Sequence, residues 1–357
     1  MTTVTSAASA ADLRRTLVDR LTAGGHLDPR WRDAFLHVPH EAFFREAESG
    51  CRDDAPAADG PGARPSVLAA MLGALGPVER GTRVLQVGTG RGYDTALLCH
   101  RAGEATVTSL APGPEALAPA REALARAGYA PTLAVGAPAA GHPGGAPYDA
   151  LIAGVDVPRV PAAWLAQVRP GGTVVAALGF ALAALSVAAD GSATGPLLPV
   201  TAAFADAPAD APADAWQDPA GPLGYDVGMV LSLRGQSRVA VLPDLGGTVP
   251  RLLRHLVQPD VTQVTLREAE KEQSALHILT HRPSGSWARV VPRSGGFVHV
   301  DHAGPRDVFG EFAPVVSHWA AAGRPGPEAY GLTVSADGGH ALWSAADDGF
   351  RRPLAHG

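Results

Sequence analysis

Apolar and polar positions change rhythm along this chain. Between residues 13 and 21, apolar side chains recur at 13, 17, 18 and 21, the spacing of one helix face, with Asp12 standing where an N-cap belongs. A second helix is predicted over 29–36, ending before Val38-Pro39. A third is predicted over 66–75, apolar on nearly every side and therefore buried. From Arg83 onward short apolar runs alternate with amphipathic ones. Strand VLQV precedes helix TALLCHRAG, strand ATVTSLA precedes helix GPEALAPAREALARAG, and strands PTLAVG and YDALIAG follow. A short helix VPAAWLAQV, a turn at 169–172 and strand TVVAAL complete the series. This β-α-β-α alternation with short connections predicts an α/β fold, a doubly wound and mainly parallel sheet with right-handed crossovers. The segment LAALSVAADGSATG reads as an antiparallel hairpin at one edge of that sheet.

The run 171–189 carries no charge and is long enough to raise the question of a membrane span. It is mostly alanine, is interrupted by Gly179 and ends at the turn Asp190-Gly191, so two buried strands are the better reading. Residues 205–222, ADAPADAPADAWQDPAGP, have no periodicity and read as a linker or exposed loop. Beyond it the strands MVLSL, SRVAVL, SALHILTH, GFVHVDH, LTVSA and ALWSA mix with helical VPRLLRHLV and RDVFGEFAPVVSHWAAAG. The expected organisation is a first domain over 1–204, a linker over 205–222 and a C-terminal α+β domain over 223–357.

Composition narrows the function classes. The 357 residues carry 29 basic and 35 acidic side chains, a net charge of −6, which recommends neither nucleic acid nor an anionic membrane as a partner. The N-terminal MTTVTSAASAADLRR lacks the apolar core of a secretory signal. Cys51 and Cys99 are too few for a disulfide scaffold and suit ordinary thiols in a reducing compartment, so the chain reads as cytoplasmic.

The chemistry concentrates at VLQVGTGRGYDTALL, residues 84–98. Gly88-Thr89-Gly90-Arg91-Gly92 lies between a strand and a helix start, where backbone N–H groups and a helix N-terminus can meet a nucleotide-like ligand. Such a turn also serves plain close packing. Thr89 and Tyr93 are placed to line the crevice.

With the turn at that junction, the chain resembles protein-L-isoaspartate O-methyltransferases, class I S-adenosylmethionine (SAM) enzymes. AFLHVPHEAFF (34–44), RPSVLAAMLGAL (64–75), VGTGRGY, GAPYDALIA and PAAWLAQVRPGGTVVAAL carry the likeness in order. The tail GPRDVFGEF…HWAAAGRPGPEAYGLTVSADGGHALW resembles the C-terminal extension of the variety associated with maturation of ribosomal peptides in actinobacteria. The resemblance implies SAM as cofactor and a peptide or protein carrying aspartate or isoaspartate as substrate. It also implies a methyl ester that promotes succinimide formation. In cofactor roles it places Gln86, Gly88, Thr89, Gly90, Gly92, Tyr93, Ala111 and Ala137, and in substrate roles Ala63, Arg64, Pro65 and Ser66.

The likeness has gaps where charge matters. Gln86 replaces the usual Glu before the turn, Ala111 the acid for the ribose hydroxyls, Ala137 the Asp for the adenine amino group, and Ala63-Arg64-Pro65 the Ser-Gln-Pro of the substrate helix. A hydrogen bond to a charged group contributes roughly 1.5–3 kcal/mol, so the two missing nucleoside acids imply SAM binding weakened by about 10²- to 10⁴-fold. The alternative function is therefore a degenerate methyltransferase fold, a pseudoenzyme, kept as a peptide-binding or scaffold subunit. Asp94 and Glu115 could substitute, although both also read as solvated helix-start acids. Ser66 reads as the N-cap of its helix, Asp149 as a structural acid, and His40 with Glu41 as surface or substrate-facing residues. His299, Asp301 and His302 cluster, as do His277 and His281, but neither group shows further ligands, so no metal is expected.

Overall fold

A computed structural model describes residues 9–44, 64–179, 181–200, 227–242, 245–267, 275–347 and 349–354. Ala63, Cys51 and the expected linker 205–222 lie outside the described residues. The chain divides into two compact units, residues 1–204 with 330–344 and 350–352, and residues 205–329 with 345–349 and 353–357.

In the first unit the order is α1 (Ala10–Ala23), α2 (Arg32–His37), α3 (Pro65–Ala74), β1 (Val84–Val87), α4 (Tyr93–Ala102), β2 (Val107–Ala111), α5 (Pro114–Arg126) and β3 (Thr132–Val135). Then come β4 (Tyr148–Asp156), α6 (Ala162–Leu165), β5 (Val168–Leu178), β6 (Ala181–Val187) and β7 (Ala193–Pro196). The second unit holds α7 (Val227–Ser232), β8 (Gln236–Val241), α8 (Thr248–Val257), β9 (Thr262–Arg267), β10 (Ala275–His281), β11 (Ser286–Pro292), β12 (Phe297–Ala303) and α9 (Ala313–Ala321). The chain closes with β13 (Tyr330–Val334), β14 (His340–Ser344) and β15 (Arg351–Leu354).

Ten strands form one sheet in the order β15-β14-β13-β7-β6-β5-β4-β1-β2-β3. The half from β3 to β5 is parallel. The central strands β1 and β2 are buried at every position, as expected of a sheet covered by helices, while the edge strand β3 is partly exposed. Strand order reverses between β1 and β4, and at such a switch point the loops diverge and open a crevice at the carboxyl ends of the strands. One continuous core joins Leu17 and Leu21 of α1, Trp31 and Phe35 near α2, Leu68 and Leu72 of α3, and Leu97 of α4 to Val84, Ile152 and Val175 of the sheet. The second unit is a five-stranded sheet, β8-β12-β11-β10-β9, antiparallel throughout. Among the described residues, no helix is long and apolar enough to cross a membrane.

The doubly wound architecture matches the sequence reading, and several details differ. Asp12 is not the N-cap of α1 but its N3 residue. Ser9 caps the helix, its hydroxyl accepting from Asp12 N–H at 3.2 Å while the Asp12 carboxylate accepts from Ser9 N–H at 3.3 Å. MVLSL lies largely in helix α7, since periodicity cannot separate a strand from a helix in so short an apolar run. The turn expected at 169–172 bulges from within β5, where pairing to β4 jumps from Tyr148–Val168 to Ala150–Thr173. The hairpin β6–β7 is not an edge. β13 pairs with β7 from Gly331–Pro196 to Val334–Ala193, and β14 follows. Residues 330–344 thus belong with the first sheet, which cuts into the single C-terminal body expected over 223–357.

Candidate functional site

The site grows from the end of β1. Gly88 adopts φ +92°, and a Cβ there would stand 2.6 Å from Val155 Cγ1 and 3.3 Å from the Gly154 backbone, so only glycine lets this turn approach the end of β4. At Gly92, φ +90°, a Cβ would stand 3.2 Å from Leu124 Cγ and 3.3 Å from Ala120 Cβ of α5, and the residue takes the N-cap position of α4. Gly90 also has positive φ, at +51°. Backbone hydrogen bonds then carry the crevice sideways. Gly88 N–H donates to Leu110 O at 2.8 Å, and Gly136 N–H donates to Ala111 O at 3.0 Å. The two positions expected to hold the nucleoside acids are therefore neighbours beside the glycine turn. Ala111 is buried at the end of β2, and Ala137 is exposed just beyond β3.

Gln86 is almost wholly buried, and its side chain is occupied. Its Oε1 accepts from Ser109 Oγ at 3.0 Å and from Thr95 Oγ1 in a short hydrogen bond, while its Nε2 donates to Gly88 O at 3.3 Å. Ser109 Oγ also lies 2.8 Å from Thr89 Oγ1, within hydrogen-bond distance. A neutral amide thus ties β1, β2, α4 and the glycine turn together. A carboxylate could accept from the two hydroxyls, but it could not donate to Gly88 O. In this geometry Gln86 and Thr89 hold the loop. Thr95 and Ser109, which complete the network, were not singled out in the sequence; the only signal is hydroxyls within otherwise apolar runs.

Tyr93 opens α4 and is walled by aromatic groups from the N-terminal segment. His40 meets its ring edge-on at 4.8 Å, and Phe35, Phe43 and Phe44 lie at 6.3, 5.7 and 6.0 Å. Phe44 stacks on His40 at 4.3 Å, and the Arg91 guanidinium covers Phe44 at 5.6 Å. The VPHEAFF segment therefore stands over the glycine turn. His40 is not a surface residue. Burial pushes it down to about 4, so the ring is neutral at physiological pH. Glu41 is ion-paired with Arg14.

Asp94 follows Tyr93 in the first turn of α4. A Cβ added at Gly154 would find Gly88 O at 3.3 Å, Val87 O at 3.8 Å and Asp94 Oδ2 at 3.9 Å, so oxygens converge where the ends of β1 and β4 meet. Desolvation pushes the Asp94 carboxyl up to about 6. Asp156, at the end of β4, is also raised by burial and accepts from Gly179 N–H. Glu115 is exposed on the first turn of α5.

The substrate positions lie at the start of α3. Arg64 occupies the N-cap position, Pro65 the first helical one, and Ser66 is buried within the first turn. Ser66 is therefore not the cap, because Pro65 with its preset φ starts the helix one residue earlier. Asp149 is structural, accepting from Arg83 N–H at 2.7 Å and pairing with Arg169. In the second unit, Asp301 binds Ser237, Arg289 and His299; against the pull of burial, these bring it down to about 2. His277 lies 3.0 Å from Thr265 Oγ1, and His281 pairs with Asp260.

The family model for protein-L-isoaspartate(D-aspartate) O-methyltransferase matches residues 8–189. A protein-L-isoaspartate O-methyltransferase of Hyperthermus butylicus is 33% identical over 182 residues, 47% of this chain and 76% of the relative. One from Anaeromyxobacter dehalogenans is 37% identical over 162 residues, 43% of this chain and 77% of the relative. A solved protein-L-isoaspartate O-methyltransferase superposes with a TM-score of 0.53 at 19% identity, covering 93% of this chain and 99% of that structure.

Proposed function

The chain belongs to the protein-L-isoaspartate(D-aspartate) O-methyltransferase family, SAM-dependent methyltransferases, and from that premise we propose that it methylates the carboxylate of aspartate or isoaspartate in a peptide or protein. The observation that carries this reading is the Gly88–Gly92 turn, brought against Gly154 at the switch point of the sheet. SAM, when bound, supplies an electrophilic methyl group on sulfur.

The chain's own residues fit that ligand in backbone shape and lack its usual charged acceptors. The glycine turn and the N-terminus of α4 would hold it, with Gln86 keeping the turn in place and Asp94 offering the carboxylate at the crevice. Ala111 and Ala137 offer the nucleoside no side-chain acceptor. Arg64, at the start of α3, suits a substrate carboxylate by charge. Such chemistry asks chiefly for positioning of the two partners, with little proton transfer by the protein. In the ester, attack by the neighbouring backbone nitrogen forms the C–N bond of a succinimide, breaks the ester C–O bond and releases methanol with the amide proton.

The same alanines favour a second reading, peptide binding without turnover. Calorimetric titration with SAM and S-adenosylhomocysteine, beside methyl transfer to an isoaspartyl peptide, separates the two. The expected result is weak binding with slow transfer, tightened roughly 10- to 100-fold by each of Ala111→Glu and Ala137→Asp. No heat at millimolar ligand, before and after both changes, overturns the enzyme reading. Peptide binding that persists without transfer then supports the second.

A further inference from the structure

Away from the crevice, α2 and α4 bring two histidines and a carboxylate together. Asp33 and His37 are four residues apart on α2, hence on one face, and His100 stands in the last turn of α4. One ligand atom from each lies within 4.8 Å of the other two. Asp33 divides its oxygens between the rings, with Oδ1 3.0 Å from His37 Nδ1 and Oδ2 2.7 Å from His100 Nε2. The imidazoles lie nearly parallel, 8° between planes and 5.7 Å between centres.

We propose that Asp33, His37 and His100 form a surface site for a divalent transition-metal ion, with zinc, nickel or cobalt as the class that imidazole and carboxylate together favour. Three protein ligands leave the remaining coordination positions to water. His100 is oriented for this role, because its other nitrogen, Nδ1, faces Tyr129 Oη at 3.3 Å and Nε2 is left aimed at the carboxylate. His37 Nδ1 also lies 2.9 Å from the Asp33 carbonyl, so in the metal-free protein it carries the proton shared by these two oxygens. A metal ion at Nδ1 takes the place of that proton, which moves to Nε2 of the same ring as the neutral imidazole changes tautomer.

The neighbouring charges leave room for a cation. Asp33 and His100 line a cleft with Glu79, Arg80 and Arg101. Glu79 adds a second carboxylate to the cleft. Arg101 donates to Val78 O at 2.8 Å and lies over the Trp31 ring, although its charge also reaches the Asp33 carboxylate. A bound ion would pin α2 to the end of α4, the helix whose first turn carries Tyr93 and Asp94.

The test is calorimetry and thermal unfolding of the full chain with zinc, nickel and magnesium chlorides at pH 7.5. One zinc or nickel ion is expected per chain with micromolar Kd, raising Tm by roughly 5 °C at a hundredfold excess over Kd, with no response to magnesium. The exposed His37→Ala and Asp33→Asn each weaken binding tenfold or more, while His318→Ala, on α9 of the second unit, leaves it unchanged. Absence of binding at a hundredfold excess over that Kd, about 0.1 millimolar, overturns the site. So does zinc binding of equal affinity in His37→Ala, which would place the ion elsewhere.

Discussion

Asp94 concentrates the electrostatic tension of the crevice. Its carboxyl is pushed up to about 6 by desolvation, opposed only by its own backbone N–H, and among the described residues it has no ion-pair partner. Arg91, three residues earlier, covers Phe44, and the Asp156 carboxylate is held by Gly179 N–H. A carboxyl whose folded value lies above its unfolded one stabilises the fold only while protonated. That contribution is complete below about pH 4 and is lost as pH rises through 6. Asp94→Asn is therefore expected to match the wild type near pH 4 and to exceed it at pH 8 by on the order of 1–2 kcal/mol. Thermal unfolding across that range checks it; a variant less stable than wild type at pH 8 would mark Asp94 as a structural cap. His40 behaves in the opposite sense, since burial keeps it neutral and places its use in packing against Tyr93.

The glycine turn depends on three elements meeting at one amide. Gln86 on β1 accepts from Thr95 on α4 and Ser109 on β2, and it donates to Gly88 O. Gln86→Leu keeps the volume near that of the amide but removes the acceptor that Thr95 and Ser109 share, leaving these buried hydroxyls only each other and Thr89 Oγ1. The expected cost is about 1–3 kcal/mol, together with a looser glycine turn. Urea denaturation gives the first number. Weaker S-adenosylhomocysteine binding by the variant, compared with Leu72→Ala destabilised to a similar degree, isolates the second effect from general instability. Equal ligand affinity in the two variants would reduce Gln86 to a packing residue.

The return of the chain to its first sheet makes the C-terminal strands part of that unit. β13 covers the edge of β7, and His340 Nε2 accepts from Val160 N–H at 3.0 Å, far along the chain. Tyr330, Leu332 and Leu342 are fully buried there. A chain ending at residue 204 would open β7 and expose apolar positions that the missing strands now cover. It is expected to aggregate or to melt well below the full chain, measured by light scattering and calorimetry. A monomeric fragment with the parent Tm would show that the sheet from β3 to β7 is self-sufficient.

Much of this molecule was legible in local pattern. The 3.6-residue and two-residue periods of the first 178 residues, and glycines spaced between a strand and a helix, identify the parallel half of the sheet and its crevice, because those signals depend on near neighbours in the chain. That Ala111 and Ala137 stand where acids are usual came from the family resemblance, position by position. What local pattern could not carry was pairing across long separations. β13 joining β7, Thr95 and Ser109 closing on Gln86, His40 buried against Tyr93, and His100 meeting Asp33 and His37 each join residues 9 to 141 positions apart. A polar side chain in a strand or helix looks the same whether its partner is water or another buried group. Only the packed structure decides which, since burial and distance set the strength of every such contact.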